Sequence, residues 1–329
     1  MSVWFVKGIP DDRFVKALIK PTGRISFSTG GSINLRWKME PFFDVHQLMI
    51  PGPVRHGNPQ LIVNEISNPE THSEVLTLCE RLCEDHGCPV INHPKYIPMT
   101  MRDVMAARLS TIPGLVVPRT IRANPKTPSE VEEIVRSHDL GNPFLMREIG
   151  KHGGETLLRI SLPDDRDLLH QFAYDGRAFY LTEFVDYPSD DGLYRKLRIA
   201  CIDGEIRLRH LLILDNWMVH ASARAFMDER PHLIEEELPY LENFENDVKP
   251  KIAATFAAIC KAVPLDYFGV DCHVYPDGKV LLFEANANMN MLINTRTDEA
   301  TVQPYIDRIV EDLRLLLVER MSSNQAATA

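Results

Sequence analysis

Two carboxylates and an amide stand close together near the C-terminus of the chain. Asp271 lies in the run from Tyr267 to Tyr275, and Glu284 and Asn286 lie in the run from Val280 to Asn288. Both runs are β-rich, and Asp277-Gly278 between them is a strong short-range hairpin signal. A two-residue loop there sets Asp271 directly opposite Glu284. Side chains alternate faces along a strand. Asp271, Glu284 and Asn286 therefore share one face. Val270, Cys272 and Val274 share the other with Leu281, Phe283 and Ala285, an apolar set that belongs on a core. Cross-strand partners have Cβ atoms about 4.5–5.5 Å apart, where like charges repel. Paired carboxylates beside an amide oxygen therefore suggest a cation, and all-oxygen donors suit Mg²⁺ or Mn²⁺ rather than Zn²⁺. An edge hairpin with solvated acids carries the same pattern. The tail favours the site: Asn286, Asn288 and Asn290 build a strand poorly and read as a loop that continues the polar surface.

Cationic and glycine-bearing stretches precede this hairpin. A strand from Pro143 through Arg147 ends in a turn containing Gly150, Lys151, His152, Gly153 and Gly154. Glycines let backbone approach a phosphate closely, and successive N–H groups form anion-binding nests; a plain hairpin turn has the same composition. A second Asp-Gly hairpin turns at Asp203-Gly204. With a two-residue loop, Leu197, Ile199 and Cys201 share a face with Ile206, Leu208 and His210, while Lys196 and Arg198 share the other with Arg207 and Arg209. Four cations on one face repel unless an anion or acids answer them. The two readings are a solvated strand face and a polyphosphate-facing strand. The stretch from Asp215 to Arg224 is polar, basic and aromatic. Trp217, His220 and Arg224 there are candidates to line an acceptor pocket, or are packed surface residues.

A Gly-x-Asp strand, a turn, then Phe283-Glu-Ala-Asn-Ala-Asn288 resembles the metal-binding end of the ATP-grasp superfamily, of which D-alanine–D-alanine ligase and glutathione synthetase are familiar members. The resemblance implies an α/β (α+β) fold, an ATP-grasp domain behind an N-terminal α/β domain. It also implies Mg²⁺ (or Mn²⁺) held by Asp271, Glu284 and Asn286 against ATP. It makes the glycine-rich turn a lid over the phosphates, with Lys151, His152, Gly153 and Gly154 as ATP contacts. The two phosphate-binding lysines usual in the family are replaced by Arg102 and Arg147, which still bind phosphate, and bidentately. The strand ending Thr182-Glu183-Phe184-Val185 matches the adenine strand, with Glu183 and the backbone at Phe184 and Val185 facing the base. Lys196 joins the ATP contacts. Arg198 matches the arginine that meets phosphate and developing charge, and Arg296 is a second candidate for that role. Asn288 joins Trp217, His220 and Arg224 as substrate-side candidates. The D-alanine ligase pattern also has an arginine two residues before the metal Asp, where this chain has Gly269.

The implied activity is an ATP-dependent carboxylate–amine ligase working through an acyl phosphate on an amino acid or peptide, releasing ADP and phosphate. The expected partners are a small-molecule or peptide carboxylate and an amine acceptor. A small-molecule kinase and a non-catalytic nucleotide-binding regulator are the alternatives. Homodimers are frequent among relatives, and no residue pattern here marks an interface.

The elements that must position these groups follow from periodicity and composition. The 329 residues are 44% hydrophobic and 25% charged, with net charge −10, which suits two or three soluble domains and gives no global case for nucleic acid or an anionic membrane. The expected division is 1–97, 98–186, 187–321 and a frayed tail, 322–329. Strands are expected at Ser2 to Val6, Gln60 to Val63 and Pro89 to Asn92 around a helix from Pro69 to His86, a parallel α/β pattern. Arg24 to Asp44 resists assignment. Thr100 reads as the cap of a helix to Leu109, followed by a strand from Val116 to Arg122 and a helix from Pro128 to His138. One long helix is expected within Glu235 to Val263, and a closing helix from Asp298 to Arg320. There is no dinucleotide fingerprint or Walker A loop, which argues against a Rossmann dehydrogenase or a P-loop enzyme. Cys79 and Cys83 have the spacing of a buried helix face. Six cysteines without a leader pattern set the expectation of a reducing cytosol.

Overall fold

Val3 to Val6 is a run of four buried apolar residues, the signature of a strand covered on both faces. In the computed structural model it forms the middle of β1 (Ser2–Gly8). The structure describes residues 2–19, 23, 25–53, 57–151, 154–220, 222–294 and 299–328; His152, Gly153 and Arg296 lie outside the described residues. After β1 come the hairpin β2 (Lys16–Ile19) and β3 (Ile25–Ser28), the short helix α1 (Arg36–Met39), β4 (Asp44–Ile50), β5 (Leu61–Asn64), α2 (Ser73–His86) and β6 (Val90–Ile91). The sheet order is β4-β1-β5-β6, all parallel, as the alternating pattern implies.

The stretch that resists sequence assignment holds β3 and α1, and the strand β4 follows it. The reason is long-range capping. The Glu65 carboxylate, at the end of β5, accepts from the backbone N–H groups of Leu35 (2.6 Å) and Arg36 (3.0 Å). The α2 helix likewise starts at Ser73 because Asp11 accepts from the N–H groups of Ser73 and Glu74. Such caps satisfy orphan donors without leaving a local signature. Val75, Leu76, Cys79, Leu82 and Cys83 form the buried face of α2, as their spacing predicts, and no metal-binding cluster of His, Cys, Asp and Glu occurs among the described residues.

The middle of the chain builds an antiparallel sheet. α3 (Arg102–Leu109) is followed by β7 (Leu115–Val116), β8 (Thr120–Ala123), α4 (Pro128–Ser137), β9 (Phe144–Glu148), β10 (Leu158–Ile160) and β11 (Phe179–Glu183), in the order β10-β9-β11-β8. Two expectations are corrected. Thr100 is not the α3 cap; its hydroxyl donates to Ile97 O, inside a preceding 3₁₀ turn (Pro94–Thr100). The single strand from Val116 to Arg122 is two strands in different sheets. Pro118, which has no N–H to give a ladder, stands at the crossing.

The last third supplies the sheet that carries the acids: β12 (Tyr194–Ile202), β13 (Glu205–Leu214), α5 (Ala223–Asp228), α6 (Pro231–Asn243), α7 (Val248–Ala262), β14 (Tyr267–Val274), β15 (Val280–Asn286) and α8 (Glu299–Thr328), with strand order β13-β12-β14-β15-β7. The one long helix is α6 and α7, separated at residues 244–247. Pro250 stands in the first turn of α7, where its missing N–H costs no helical bond. The expected frayed tail is helical to Thr328; the Ser322 and Ser323 hydroxyls bond back to Val318 O and Glu319 O, and alanine at 326 and 327 favours helix. No helix among the described residues is long and apolar enough to cross a membrane.

Candidate active site

The β14–β15 hairpin sets Asp271 opposite Glu284 and Gly269 opposite Asn286. The pairing agrees with the sequence reading, but by a different route. The loop has three residues, not two: Tyr275 pairs with Lys279, and Gly278 sits at φ 83°, a type of turn that needs its glycine. That shifts the register by one. A bulge at Phe283 then shifts it back before Glu284. The faces near the turn change accordingly. Leu282 and Val280, rather than Leu281 and Phe283, lie across from Cys272 and Val274 on the core side. Phe283 turns toward a cavity of about 510 Å³ between the middle and C-terminal sheets.

The cationic hairpin shows the same device. Asp203 (φ 49°) and Gly204 (φ 87°) form the expected two-residue loop. A bulge at Arg209 then brings His210 opposite Arg198. His210, expected on the apolar face, instead lines the cavity with Arg209. Arg207 leaves the site and pairs with Asp312 and Glu245, each at 2.7 Å, so acids answer that one cation.

Asp271 is 4% exposed and is gripped from both sides. Lys196 Nζ lies 3.0 Å from Oδ2, and Arg198 reaches Oδ1 at 2.7 Å and Oδ2 at 2.9 Å. Burial alone would raise this carboxyl, but Lys196 and Arg198 outweigh it and hold the group well below the usual carboxylate range. Glu284 meets Arg102 at 2.6 Å and accepts from the Asn286 amide at 2.6 Å, while Asn286 Oδ1 accepts from Asn288 N. Arg102 opens α3 and also donates to Phe283 O. Arg147, on β9, donates to Lys151 O. Burial, and then repulsion from Arg102, lowers its guanidinium to about 10. Arg102, Arg147, Lys196 and Arg198 thus surround two carboxylates, which leaves a net positive site for an anion.

The remaining candidates fall around the same space. Glu183 ends β11, its carboxylate accepting from Arg119 N at 3.2 Å. Phe184 meets Trp217 edge-on at 5.5 Å and carries the Arg159 guanidinium at 4.8 Å. Val185, Gly154, Trp217, His220 and Arg224 all line the cavity. Arg224 forks onto buried Glu237. Asn288 accepts from Ser67 Oγ at 2.9 Å and, with Lys151, lines a small adjoining crevice.

Sequence reasoning missed two features. Tyr187 is buried under the cavity, its hydroxyl donating to Trp217 O and its ring 4.8 Å from Phe283. Glu70, from the loop before α2, accepts from the Tyr180 hydroxyl and from Gly150 N. It thereby ties the N-terminal sheet to the glycine-rich turn. Neither had a local signal, since these partners lie thirty or more residues away.

The arrangement of the strands and helices is that of known structures. D-alanine–D-alanine ligase from Bacillus anthracis complexed with ATP matches 99% of this chain and 99% of its own, with TM-score 0.55 and 11% identity. The RimK domain protein ATP-grasp from Sphaerobacter thermophilus matches 96% and 98%, with TM-score 0.53 and 11% identity. The ATP-grasp ligase PsnB, complexed with precursor peptide PsnA2 and AMPPNP, matches 94% and 96%, with TM-score 0.51 and 14% identity.

The chain has the ATP-grasp fold.

No family model and no curated protein matches the sequence. A Cβ on Gly269 would lie 2.7 Å from Met289 Sδ and 2.8 Å from Met289 Cβ, so no arginine fits there while Met289 keeps its place.

Proposed function

We propose that the protein is an ATP-dependent carboxylate–amine ligase that uses Mg²⁺ (or Mn²⁺) and acts on an amino acid or peptide. The observation that carries this reading is the row Glu284, Asp271, Arg198 across neighbouring strands, with Arg102, Arg147 and Lys196 around it at the wall of one cavity. The neighbours complexed with ATP, with AMPPNP, and with Mg and ADP support the same choice of nucleotide and ion.

The donor set suits the ion. Asp271, Glu284 and Asn286 offer oxygen only, which is Mg²⁺ and Mn²⁺ chemistry. When bound, such an ion neutralises phosphate charge at the transferring group. The chain's own groups do the rest. Glu183 and the backbone at Phe184 and Val185 receive the base, against Tyr187 and Phe283. Arg102, Arg147, Lys151 and Lys196 hold phosphate, with Gly154, and His152 and Gly153 of the same turn, closing over it. A substrate carboxylate oxygen attacks the terminal phosphorus and ADP leaves. The amine then attacks the acyl carbon, loses a proton, and inorganic phosphate leaves with the C–O electron pair. Arg198 meets the charge that develops on phosphoryl and acyl oxygens, and Arg296 is the second candidate for that role. No protein nucleophile is required. The six cysteines, all free thiols, fit a cytosolic setting.

Product analysis tests this. Incubation with Mg-ATP and a panel of amino acids and dipeptides is expected to release ADP and phosphate in equal amounts together with an amide product. AMP and pyrophosphate would overturn the proposal; ADP with a stable phosphorylated product would make the protein a kinase.

A further inference from the structure

β13 carries two polar groups that the resting protein leaves unused. The bulge sends the consecutive residues Arg209 and His210 to the cavity wall. Arg209 is 5% exposed; one terminal nitrogen donates to Ile293 O at 2.8 Å, and Nε is buried without a partner. His210 Nε2 is also buried without a partner. An unsatisfied buried donor carries a desolvation cost, and native proteins keep few of them. Asp271 answers Lys196 and Arg198, and Glu237 answers Arg224. Among the described residues no acid forms an ion pair with Arg209. Burial, and then Arg198, lowers Arg209 to about 10, so it stays charged at neutral pH.

Position separates this group from the phosphate seat. Glu284, Asp271, Arg198 and His210 stand in register on β15, β14, β12 and β13. At about 4.8 Å per strand, His210 lies roughly 14 Å from Glu284. Overhead, Asn290 O accepts from Arg198 and Ile293 O from Arg209, so the segment after β15 closes over this end. Arg224 is aimed there by its fork onto Glu237, which is fully buried.

We infer that this end of the cavity seats a carboxylate: the substrate carries, besides the group that reacts, a free carboxylate held by Arg209 and His210, with Arg224 behind them. A guanidinium N–H and a neutral imidazole N–H are two donors for two carboxylate oxygens. Such a substrate is an amino acid or peptide with a free C-terminus, or a dicarboxylate. The assignment rests on the ligase reading for the rest of the cavity.

Glutarate, its diamide glutaramide and inorganic phosphate serve as probes. Each is titrated calorimetrically into protein loaded with ADP and Mg²⁺, using wild type, Arg209→Met and His210→Gln, with ADP affinity measured separately. Saturable glutarate binding is expected, with glutaramide at least roughly tenfold weaker. Each variant should weaken glutarate at least roughly fivefold and leave ADP affinity unchanged. Equal binding of acid and diamide, no saturable glutarate binding, or variants that bind glutarate like wild type would overturn the inference. Phosphate displacing glutarate at lower concentration would reassign the seat to phosphate. If Arg209→Met loses ADP binding through misfolding, His210→Gln decides. If wild type does not bind ADP, the ligase reading fails, and glutarate titration of the free protein still tests the seat.

Discussion

Asp271 answers two cations at once, and its substitution is the sharpest residue-scale test of how the site holds together. Asp271→Asn leaves Lys196 and Arg198 buried without their acid, which by precedent costs about 3–5 kcal/mol. The cost has a pH signature. The folded carboxyl titrates far below its ordinary value of 3.8. Its stabilisation is therefore complete above that value, where the unfolded carboxyl is also ionised, and is lost as pH falls below it. Urea midpoints of wild type and variant should differ by a constant amount from pH 5 to 8 and converge in acid. A gap that widens in acid would contradict the pairing. At this scale the alternation of polar and apolar residues displayed Asp271, Glu284 and Asn286 plainly, while Arg102 and Arg147 were legible only through the family resemblance. It hid His210, whose face depends on a bulge, and Glu70, whose partners come from another sheet.

Register is the property of elements, and here two bulges decide it. The three-residue loop closing β14 and β15 would place Asp271 opposite Phe283 without the bulge that follows. The correct pair was legible only because the two departures cancel; in β13 a single bulge has no compensation, and the expected face of His210 was wrong. Gly278 fixes the loop. At φ 83°, with Lys251 O only 3.1 Å from where a Cβ would stand, Gly278→Ala should lose about 1–2 kcal/mol of stability in chemical denaturation. An unchanged midpoint would show that the turn does not hold the register. The start of α4 was legible at Pro128, where the cap is local: the Thr127 hydroxyl accepts from Glu130 N. Helix starts were not legible where Asp11 or Glu65 caps from a distance.

At the scale of the whole molecule, the cavity depends on contacts between parts that the sequence cannot juxtapose. Glu70 reaches from the N-terminal sheet to Gly150 N and the Tyr180 hydroxyl, and Ser67 reaches Asn288. Glu70→Ala should free the turn that contains Lys151, so trypsin should cut after Lys151 several-fold faster than in wild type, with cleavage elsewhere unchanged. Equal cleavage would mean that Glu70 does not restrain the turn. The order of the glycine-rich turn, the strand ending at Glu183 and the acidic hairpin along the chain was enough to anticipate the fold, although no single motif was.

The central claim is that the acidic hairpin and its surrounding cations form a Mg-ATP site. Calorimetric titration of ATP, with and without Mg²⁺, into wild type and Glu284→Gln tests it most directly. Mg²⁺ should strengthen ATP binding to wild type by roughly tenfold or more, and Glu284→Gln should abolish that gain while still binding ATP through Arg102 and Arg147. Absence of ATP binding in both proteins, or a Mg²⁺ gain that survives the substitution, would contradict the account.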